Sequence, residues 1–182
     1  MDNILAIDAS TKRTGLAWFE GQELHYGVLE SSVTPVERRI GVMRDKLIEF
    51  LQNHPAIDTI VLEEVRHDGM NDHTGKVLMW LQGCLAVAIY EFNKNIKIEF
   101  SGASTWRSIL HIQKYAVKRN PQKQMDIKYI NEKYGLNLNP TQDDEADAIG
   151  ILTAYHINKN ALINNPTIAP SSGNINTYKS AF

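Results

Sequence analysis

Two short apolar runs of this chain end in acidic residues, and this pattern restricts the possible folds more than any other feature of the sequence. Asp8 lies near the end of the first run, LAIDAS, and Glu63 lies near the end of a later one, VLEEV. Apolar runs of this length are typical of buried strands, so we expect both acids at strand ends. Asp144 and Asp147 stand three residues apart in DDEAD, a spacing that places both on one face of a helix.

One fold can bring all four carboxylates together if the two strands are neighbours and the helix packs across their sheet. Clustered carboxylates repel one another, and proteins usually tolerate that repulsion where the acids hold a hard divalent cation. Mg²⁺ or Mn²⁺ held in this way typically acts on phosphate groups. The four acids therefore predict a metal site for phosphate chemistry.

Five strand-like segments predict a mixed α/β sheet with helices on both faces. Residues 4–9, 14–19 and 24–29 are apolar runs joined by short polar connections, which predicts an antiparallel meander of three strands. Residues 59–65 form a fourth run, whose continuous apolar start indicates burial on both faces of the sheet. Residues 96–100 form the fifth run.

Helical patterns follow and separate these strands. The first predicted helix has Thr34 as its N-cap, and two later helices have Ser104 and Asn120 in that position. A helix at residues 76–92 is apolar nearly all round, so we expect it to be deeply buried or covered by a partner chain. The last predicted helix runs over about residues 141–156 and carries DDEAD.

The length of 182 residues suits a single domain with a substantial core. We predict one domain over residues 1–158 and a flexible tail over residues 159–182, where Asn, Ser and Pro are frequent. No apolar stretch reaches the roughly 18 residues of a membrane span, and the N-terminus lacks the pattern of an export signal, so we expect a cytoplasmic location. Cys84 is the only cysteine, which excludes an intrachain disulfide and a thiolate zinc cluster.

Positive charge is concentrated in one segment of a chain whose formal net charge is -2. Residues 105–133 carry 7 Lys or Arg against 2 Asp or Glu, whereas residues 1–104 carry 10 against 15. Cations beside an acidic metal site would hold a phosphate backbone while the metal ions act on it. An ordinary solvated helix face is the alternative interpretation of this charge run.

These motifs together resemble a known family. Their order along the chain is Asp8 in a strand, then Thr14 and Gly15, then LEE, then NPTQDDEADAIGI. This order is similar to that in the RuvC family of Holliday-junction resolvases, within the ribonuclease H-like superfamily. The resemblance is strongest to the bacteriophage members of that family. It covers residues 4 to about 157, and the closing motif is its most specific part. It implies a ribonuclease H-like five-stranded sheet with helices on both faces.

The same resemblance implies a structure-selective endonuclease that resolves Holliday junctions, and other branched DNA, by phosphodiester hydrolysis. It implies two Mg²⁺ or Mn²⁺ ions in each active site. The family's four catalytic acids fall on Asp8, Glu63, Asp144 and Asp147, and we assign Asp8 the bridging role. Arg107 and Lys123 fall where the family has basic residues near the scissile phosphate, and Lys123 would stabilise developing charge there.

Branched DNA and a second copy of the chain are the expected partners. Symmetric incision of a junction needs two active sites, so we expect a homodimer, with the helix at residues 76–92 as the candidate interface. A phage-encoded protein of this kind would work in the host cytoplasm. The predicted DNA contacts are Arg66, Arg107, Lys114, Lys118, Arg119 and Lys123.

Two departures from the family pattern concern the geometry of the junction. Bacterial members usually follow the first Asp with Pro-Gly, whereas this chain has Ala9 and Ser10. An aromatic residue that helps the family open the junction is replaced by Arg66. Arg66, His67 or Met70 could contact unstacked bases instead.

Two of the acid positions have close alternatives. Glu64 neighbours Glu63 but would point to the opposite face of its strand, so Glu63 is favoured as the ligand. Asp143 suits an acid that interacts with the free amides of a helix start, and it could also replace Asp144 as a ligand. Trp80 and Trp106 are interpreted as packing residues rather than platforms for base stacking.

Other function classes share parts of this pattern. The first strand and its turn, IDASTKRTG, also resemble a phosphate-binding turn of the actin-like kinase superfamily, but such kinases need two such domains and a second nucleotide motif. The remaining alternatives are a nuclease that acts on RNA–DNA hybrids or flaps, and a junction-binding protein that does not cleave.

Overall fold

The computed structural model describes residues 3–65, 73–113 and 119–164. These residues form a five-stranded mixed sheet with helices on both faces, which confirms the predicted fold class. The strands are β1 (Ile4–Asp8), β2 (Arg13–Glu20), β3 (Glu23–Glu30), β4 (Thr59–Glu64) and β5 (Lys97–Gly102). The helices are α1 (Val36–Asn53), α2 (His73–Phe92), α3 (Ala103–Ile109), α4 (Arg119–Tyr134) and α5 (Asp143–Asn164).

The strand order is β3-β2-β1-β4-β5, so β1 is the central strand of the sheet. The first three strands form the predicted antiparallel meander, whereas β4 runs parallel to β1 and β5 runs parallel to β4. Ile7 of β1 pairs with Leu62 of β4. Because Asp8 and Glu63 each follow one of these paired residues, the two acids reach the same edge of the sheet.

The two faces of the sheet pack against different helices. Ile4 and Ala6 of β1 belong to a core shared with α3, α4 and α5, whereas Leu5 and Ile7 pack with α1 and α2. Side chains alternate between faces along a strand, so Asp8 points to the α5 face with Ile4 and Ala6. The same alternation places Glu63 on the α5 face, because Val61 belongs to that core.

Three predicted helix caps are wrong. The N-cap of α1 is Pro35, in extended backbone, and no side chain caps this helix end. The N-cap of α3 is Gly102, because this helix starts directly where β5 ends, and Ser104 already lies inside it. Asn120 lies inside α4, whose described part starts at Arg119.

The last helix is longer than predicted. It continues past residue 156, the predicted end, to Asn164, and so extends into the segment predicted as a tail. The hydroxyl of Tyr155 donates a hydrogen bond of 2.8 Å to Glu99 of β5, which ties this part of α5 to the sheet. The rest of the predicted tail, residues 165–182, lies outside the described residues. Across the described ranges, no helix has the length and apolar character needed to cross a membrane.

Candidate active site

A cavity of about 760 Å³ opens where β1 and β4 end and α5 begins. All four acids predicted from three distant segments of the chain line it, and so do several basic side chains. These residues are Asp8, Glu63, Asp144 and Asp147, with Lys12, Arg107, Arg119 and Lys123. The fold therefore brings the predicted acids together beside cations.

The two strand acids lie at different depths. Asp8 ends the central strand and is buried, with 9% of its surface exposed. Glu63 lies one residue before the end of β4 and is half-buried. The side-chain amide of Gln82, from α2, donates a hydrogen bond of 2.9 Å to the Glu63 backbone carbonyl and so holds the strand end from the opposite face.

The start of α5 lies unusually close to β2, and Gly15 makes this approach possible. A Cβ atom at Gly15 would lie 2.0 Å from the backbone oxygen of Asp144 and 2.4 Å from its carbonyl carbon. No side chain fits at that separation, so only glycine allows the first turn of α5 to rest on the sheet there. This contact fixes the position of Asp144 and, one turn later, of Asp147.

The electrostatics of the cavity disfavour the ionised form of Asp8. Burial raises the pKa of Asp8 well above its ordinary value, and the charges of Glu63, Asp147 and Asp144 raise it further. Lys123 lowers the pKa by a smaller effect. Asp8 is thus buried beside three acids whose negative charge opposes its own.

Asp147 is also buried, with 3% of its surface exposed. Burial raises the pKa of Asp147 to about 7, although Lys123 and Arg107 act in the opposite direction. Nη2 of Arg107 lies 3.4 Å and Nζ of Lys123 lies 3.6 Å from Asp147 Oδ2. Two cations therefore face Asp147 without offsetting the cost of its burial.

Asp144 pairs with a cation from the start of β2. Nε of Arg13, the first residue of β2, lies 3.2 Å from Asp144 Oδ2, and the same guanidinium also reaches Glu145 and Glu30. Burial raises the pKa of Asp144 and so does Asp143, whereas Lys123 and Arg13 lower it.

The described residues include no group of three or more His, Cys, Asp or Glu side chains placed so that they could hold a metal ion. Two of the four acids point to cations, Asp144 to Arg13 and Asp147 to Arg107 and Lys123, whereas Glu63 accepts a hydrogen bond from Trp106 through one of its two oxygens. The donor set nevertheless fits a hard cation, because it consists of carboxylate oxygens and because three of the acids raise the pKa of the fourth, Asp8. Changes in the side-chain rotamers of Asp144 and Asp147, which pair with cations, would be needed to assemble the ligands.

The predicted DNA contacts divide into three groups. Arg119 is exposed and lines the cavity. Arg107 and Lys123 have side chains that are only 12% and 17% exposed, and both form ion pairs with acids of the site. Arg66, Lys114 and Lys118 lie outside the described residues.

Both alternative acids lie beside the favoured ones. Glu64 is exposed and also lines the cavity, although strand alternation turns it away from the α5 face. Asp143 starts α5 and forms an ion pair with Lys123. Its place in the first turn of α5 is also that of an acid that interacts with free helix amides.

Sequence reasoning missed several residues of this site. Trp106 is fully buried, and its indole Nε1 donates a hydrogen bond of 2.9 Å to Glu63 Oε1. Asp126, with 0% of its surface exposed, accepts a hydrogen bond of 2.9 Å from Arg107 Nε. The sequence did carry a signal for Asp126, because residues 105–133 contain 7 Lys or Arg and only 2 acids, of which Asp126 is one. Side chains alternate between the two faces of β2, so Arg13 lies on the same face as Gly15, the face on which α5 packs.

No protein-family model and no curated protein sequence matches this chain. Solved structures do match it. Thermus thermophilus RuvC, solved in complex with a Holliday junction substrate, aligns with a TM-score of 0.67 and 17% identity, over 88% of this chain and 96% of that one. The yeast mitochondrial Holliday junction resolvase Ydc2 aligns with a TM-score of 0.61 and 14% identity, over 91% of this chain and 82% of that one.

The fowlpox virus resolvase, solved with Holliday junction DNA, aligns with a TM-score of 0.51 and 16% identity, over 86% of this chain and 97% of that one. At identities this low, these structural matches establish a shared fold. The chain therefore has the fold of the RuvC-type, ribonuclease H-like resolvases.

Proposed function

We propose that this chain is a divalent-metal-dependent endonuclease that cuts four-way DNA junctions. One observation carries the proposal: acids from three distant segments line a single cavity on a fold that Holliday junction resolvases share. The fold restricts the reaction class, and the acids supply the donor set that the reaction needs. Two of the similar structures hold junction DNA, which supports a branched substrate for this chain.

In the proposed site, Asp8, Glu63, Asp144 and Asp147 would hold two Mg²⁺ or Mn²⁺ ions, with Asp8 as the shared ligand. When bound, such ions activate water for in-line attack on a phosphodiester and stabilise the leaving 3′ oxygen. Asp8 suits the shared position because the other three acids all lie close enough to raise its pKa.

Lys123 lines the cavity with a largely buried positive charge. Its ammonium lies 3.6 Å from Asp147 and also pairs with Asp143, so these two acids orient it. A fixed cation in a partly dry site stabilises charge that develops on a phosphate better than a solvated one does. We therefore assign Lys123 to charge stabilisation rather than to general DNA attachment.

Arg119 is the described cation best suited to contact the DNA backbone, because it is exposed at the mouth of the cavity. Lys12 is exposed and lines the same cavity from the turn between β1 and β2. The two side chains come from different elements beside the acids. A backbone that enters between them would place one phosphate near the carboxylates.

A single comparison tests the proposed reaction. We expect a four-way junction to be cut in Mg²⁺ or Mn²⁺ at a rate about 10-fold or more above those of a flap, a linear duplex and an RNA–DNA hybrid of matched sequence. The measurement is gel separation of end-labelled strands. Cleavage that persists in EDTA contradicts the metal requirement. Faster cleavage of the hybrid or the flap than of the junction contradicts the proposal that the junction is the substrate.

We further propose that the active form is a homodimer that associates through α2. This helix exposes several large apolar side chains, and paired incision of a junction needs two active sites. Val87 and Tyr90 are each 57% exposed, Trp80 is 54% exposed and Met79 is 47% exposed. They recur at helical spacing, so one face of α2 presents them together.

Val87→Glu is expected to weaken this association by about 10-fold or more, because it would place two carboxylates in an apolar interface. Light scattering over a concentration series measures the dimer dissociation constant. Ile157→Glu is the matched control, since Ile157 is 41% exposed but lies on α5. A wild-type protein that stays monomeric with junction DNA bound contradicts the dimer.

A further inference from the structure

We propose that Trp106 is a positioning residue that holds the Glu63 carboxylate in place for divalent metal binding. This inference rests on the proposed function. The indole Nε1 of Trp106, in α3, donates a hydrogen bond of 2.9 Å to Oε1 of Glu63, in β4. The two residues are 43 positions apart in the sequence. Both groups face the α5 side of the sheet.

The indole is held rigidly on both sides. Trp106 has 0% of its surface exposed, and a Cβ atom at Gly150 of α5 would lie 2.6 Å from Cζ3 of the ring. The Arg107 guanidinium lies over the ring, 4.3 Å from its centroid. Because the ring is fixed by close packing, the direction of its N–H is fixed as well.

The chemistry of this donor differs from that of the other donors in the site. Asp144 and Asp147 face cations, which partly neutralise them, whereas the indole of Trp106 is a neutral donor. A neutral donor orients a carboxylate and leaves its full negative charge available. Among the described residues, no donor contacts the other oxygen of Glu63, Oε2, so this atom is the one we assign to the metal ion.

The Glu63 backbone is held independently, through the 2.9 Å hydrogen bond from Gln82 to its carbonyl. The strand end therefore stays in place when the indole N–H is removed, and only the side chain gains freedom. Partners that orient metal ligands typically contribute 10- to 100-fold in metal affinity. Loss of the Trp106 N–H is expected to have an effect in this range.

The test measures Mn²⁺ binding to DNA-free protein by calorimetry. Trp106→Phe keeps an aromatic ring and removes the N–H, and we expect it to weaken Mn²⁺ binding by about 10- to 100-fold. Trp18→Phe is the matched control, because Trp18 Nε1 also donates to a glutamate, Glu20, at 3.1 Å, but neither residue lines the cavity. Its Mn²⁺ affinity should equal that of the wild type.

A second measurement leaves Trp106 unchanged, in case Trp106→Phe does not fold. The chain has 3 Trp, so a ¹⁵N spectrum of the wild-type protein contains three indole N–H resonances. We expect Glu63→Ala and a Mg²⁺ titration each to shift the Trp106 resonance and to leave that of Trp18 unmoved. A Trp106 resonance that responds to neither overturns the inference.

The outcomes separate the two proposals. If wild-type protein binds Mn²⁺ and folded Trp106→Phe binds it equally well, Trp106 does not position Glu63, and the proposed nuclease stands. If wild-type protein binds neither Mn²⁺ nor Mg²⁺, the proposed metal-dependent reaction is itself wrong.

Discussion

Asp8→Asn is expected to reduce junction cutting by about 1,000-fold or more while junction binding stays as tight as in the wild type. Asparagine has the shape of the aspartate, so the end of β1 and its packing should not change. It lacks the negative charge that we assign to the shared metal ligand. Removing that charge also lowers repulsion of the DNA backbone, so binding should not weaken.

The same substitution should stabilise the metal-free protein. Burial and three neighbouring acids raise the pKa of Asp8 in the folded state, so its ionised form destabilises the fold near neutral pH. We expect Asp8→Asn to add about 1 to 2 kcal/mol, which corresponds to a rise of about 2 to 8 °C in Tm for a chain of this size. Calorimetry of the metal-free variants measures this.

The pH dependence has a definite sign. Between the ordinary pKa of an aspartate, 3.8, and the raised folded values, including about 7 for Asp147, the folded protein binds more protons than the unfolded chain. Its free energy of unfolding therefore falls as the pH rises through this window. Asp8→Asn should make this fall shallower, and Mg²⁺ should oppose it in the wild type by binding the folded state.

Asp45→Asn is the control for the activity and the stability measurements, because Asp45 lies on α1 with a side chain that is 66% exposed. It should cut, bind and unfold as the wild type does. An Asp8→Asn protein with full cutting activity would remove Asp8 from the active site. A lower Tm for that variant would contradict the argument from charge repulsion.

Gly15→Ala is expected to lower the cutting rate by about 100-fold and to destabilise the protein by about 1 to 3 kcal/mol. The added methyl group would overlap the backbone of Asp144, so α5 must move away from β2. The movement displaces two of the four acids together. A misplacement of about 1 Å in a catalytic group is enough to cause a rate loss of this size.

Gly27→Ala provides the control, because Gly27 lies on the neighbouring strand β3 and a Cβ atom there meets nothing within 4 Å. The two variants carry the same chemical change in the same sheet. Cutting assays and thermal unfolding, run side by side, compare them. Equal behaviour of the two variants would show that the contact between β2 and α5 does not set the position of the acids.

Much of the fold could be predicted because it depends on local pattern. The apolar runs around Asp8 and Glu63 give the strands, and the three-residue spacing of Asp144 and Asp147 gives their shared helix face. The helix ends were harder to predict. Their position depends on whether an adjacent strand or a tertiary contact, such as that between Tyr155 and Glu99, continues or stops the helix.

The partners of the site residues could not be read from local pattern. Trp106 and Glu63 are 43 residues apart, and Arg13 and Asp144 are 131 apart. Trp106 looked like a packing residue, and it does pack, but burial also forces its N–H to find an acceptor. The sequence contains no signal that identifies the acceptor.

The sequence by itself determined which residues carry negative charge, which strand and helix present them, and on which face of each element they lie, because these properties repeat with the period of the element. Only the tertiary structure decided that Gly15 admits the start of α5, that Arg13 and Trp106 hold different acids, and that the other three acids raise the pKa of Asp8. Such contacts depend on how whole elements approach one another in space, and local periodicity carries no information about that distance.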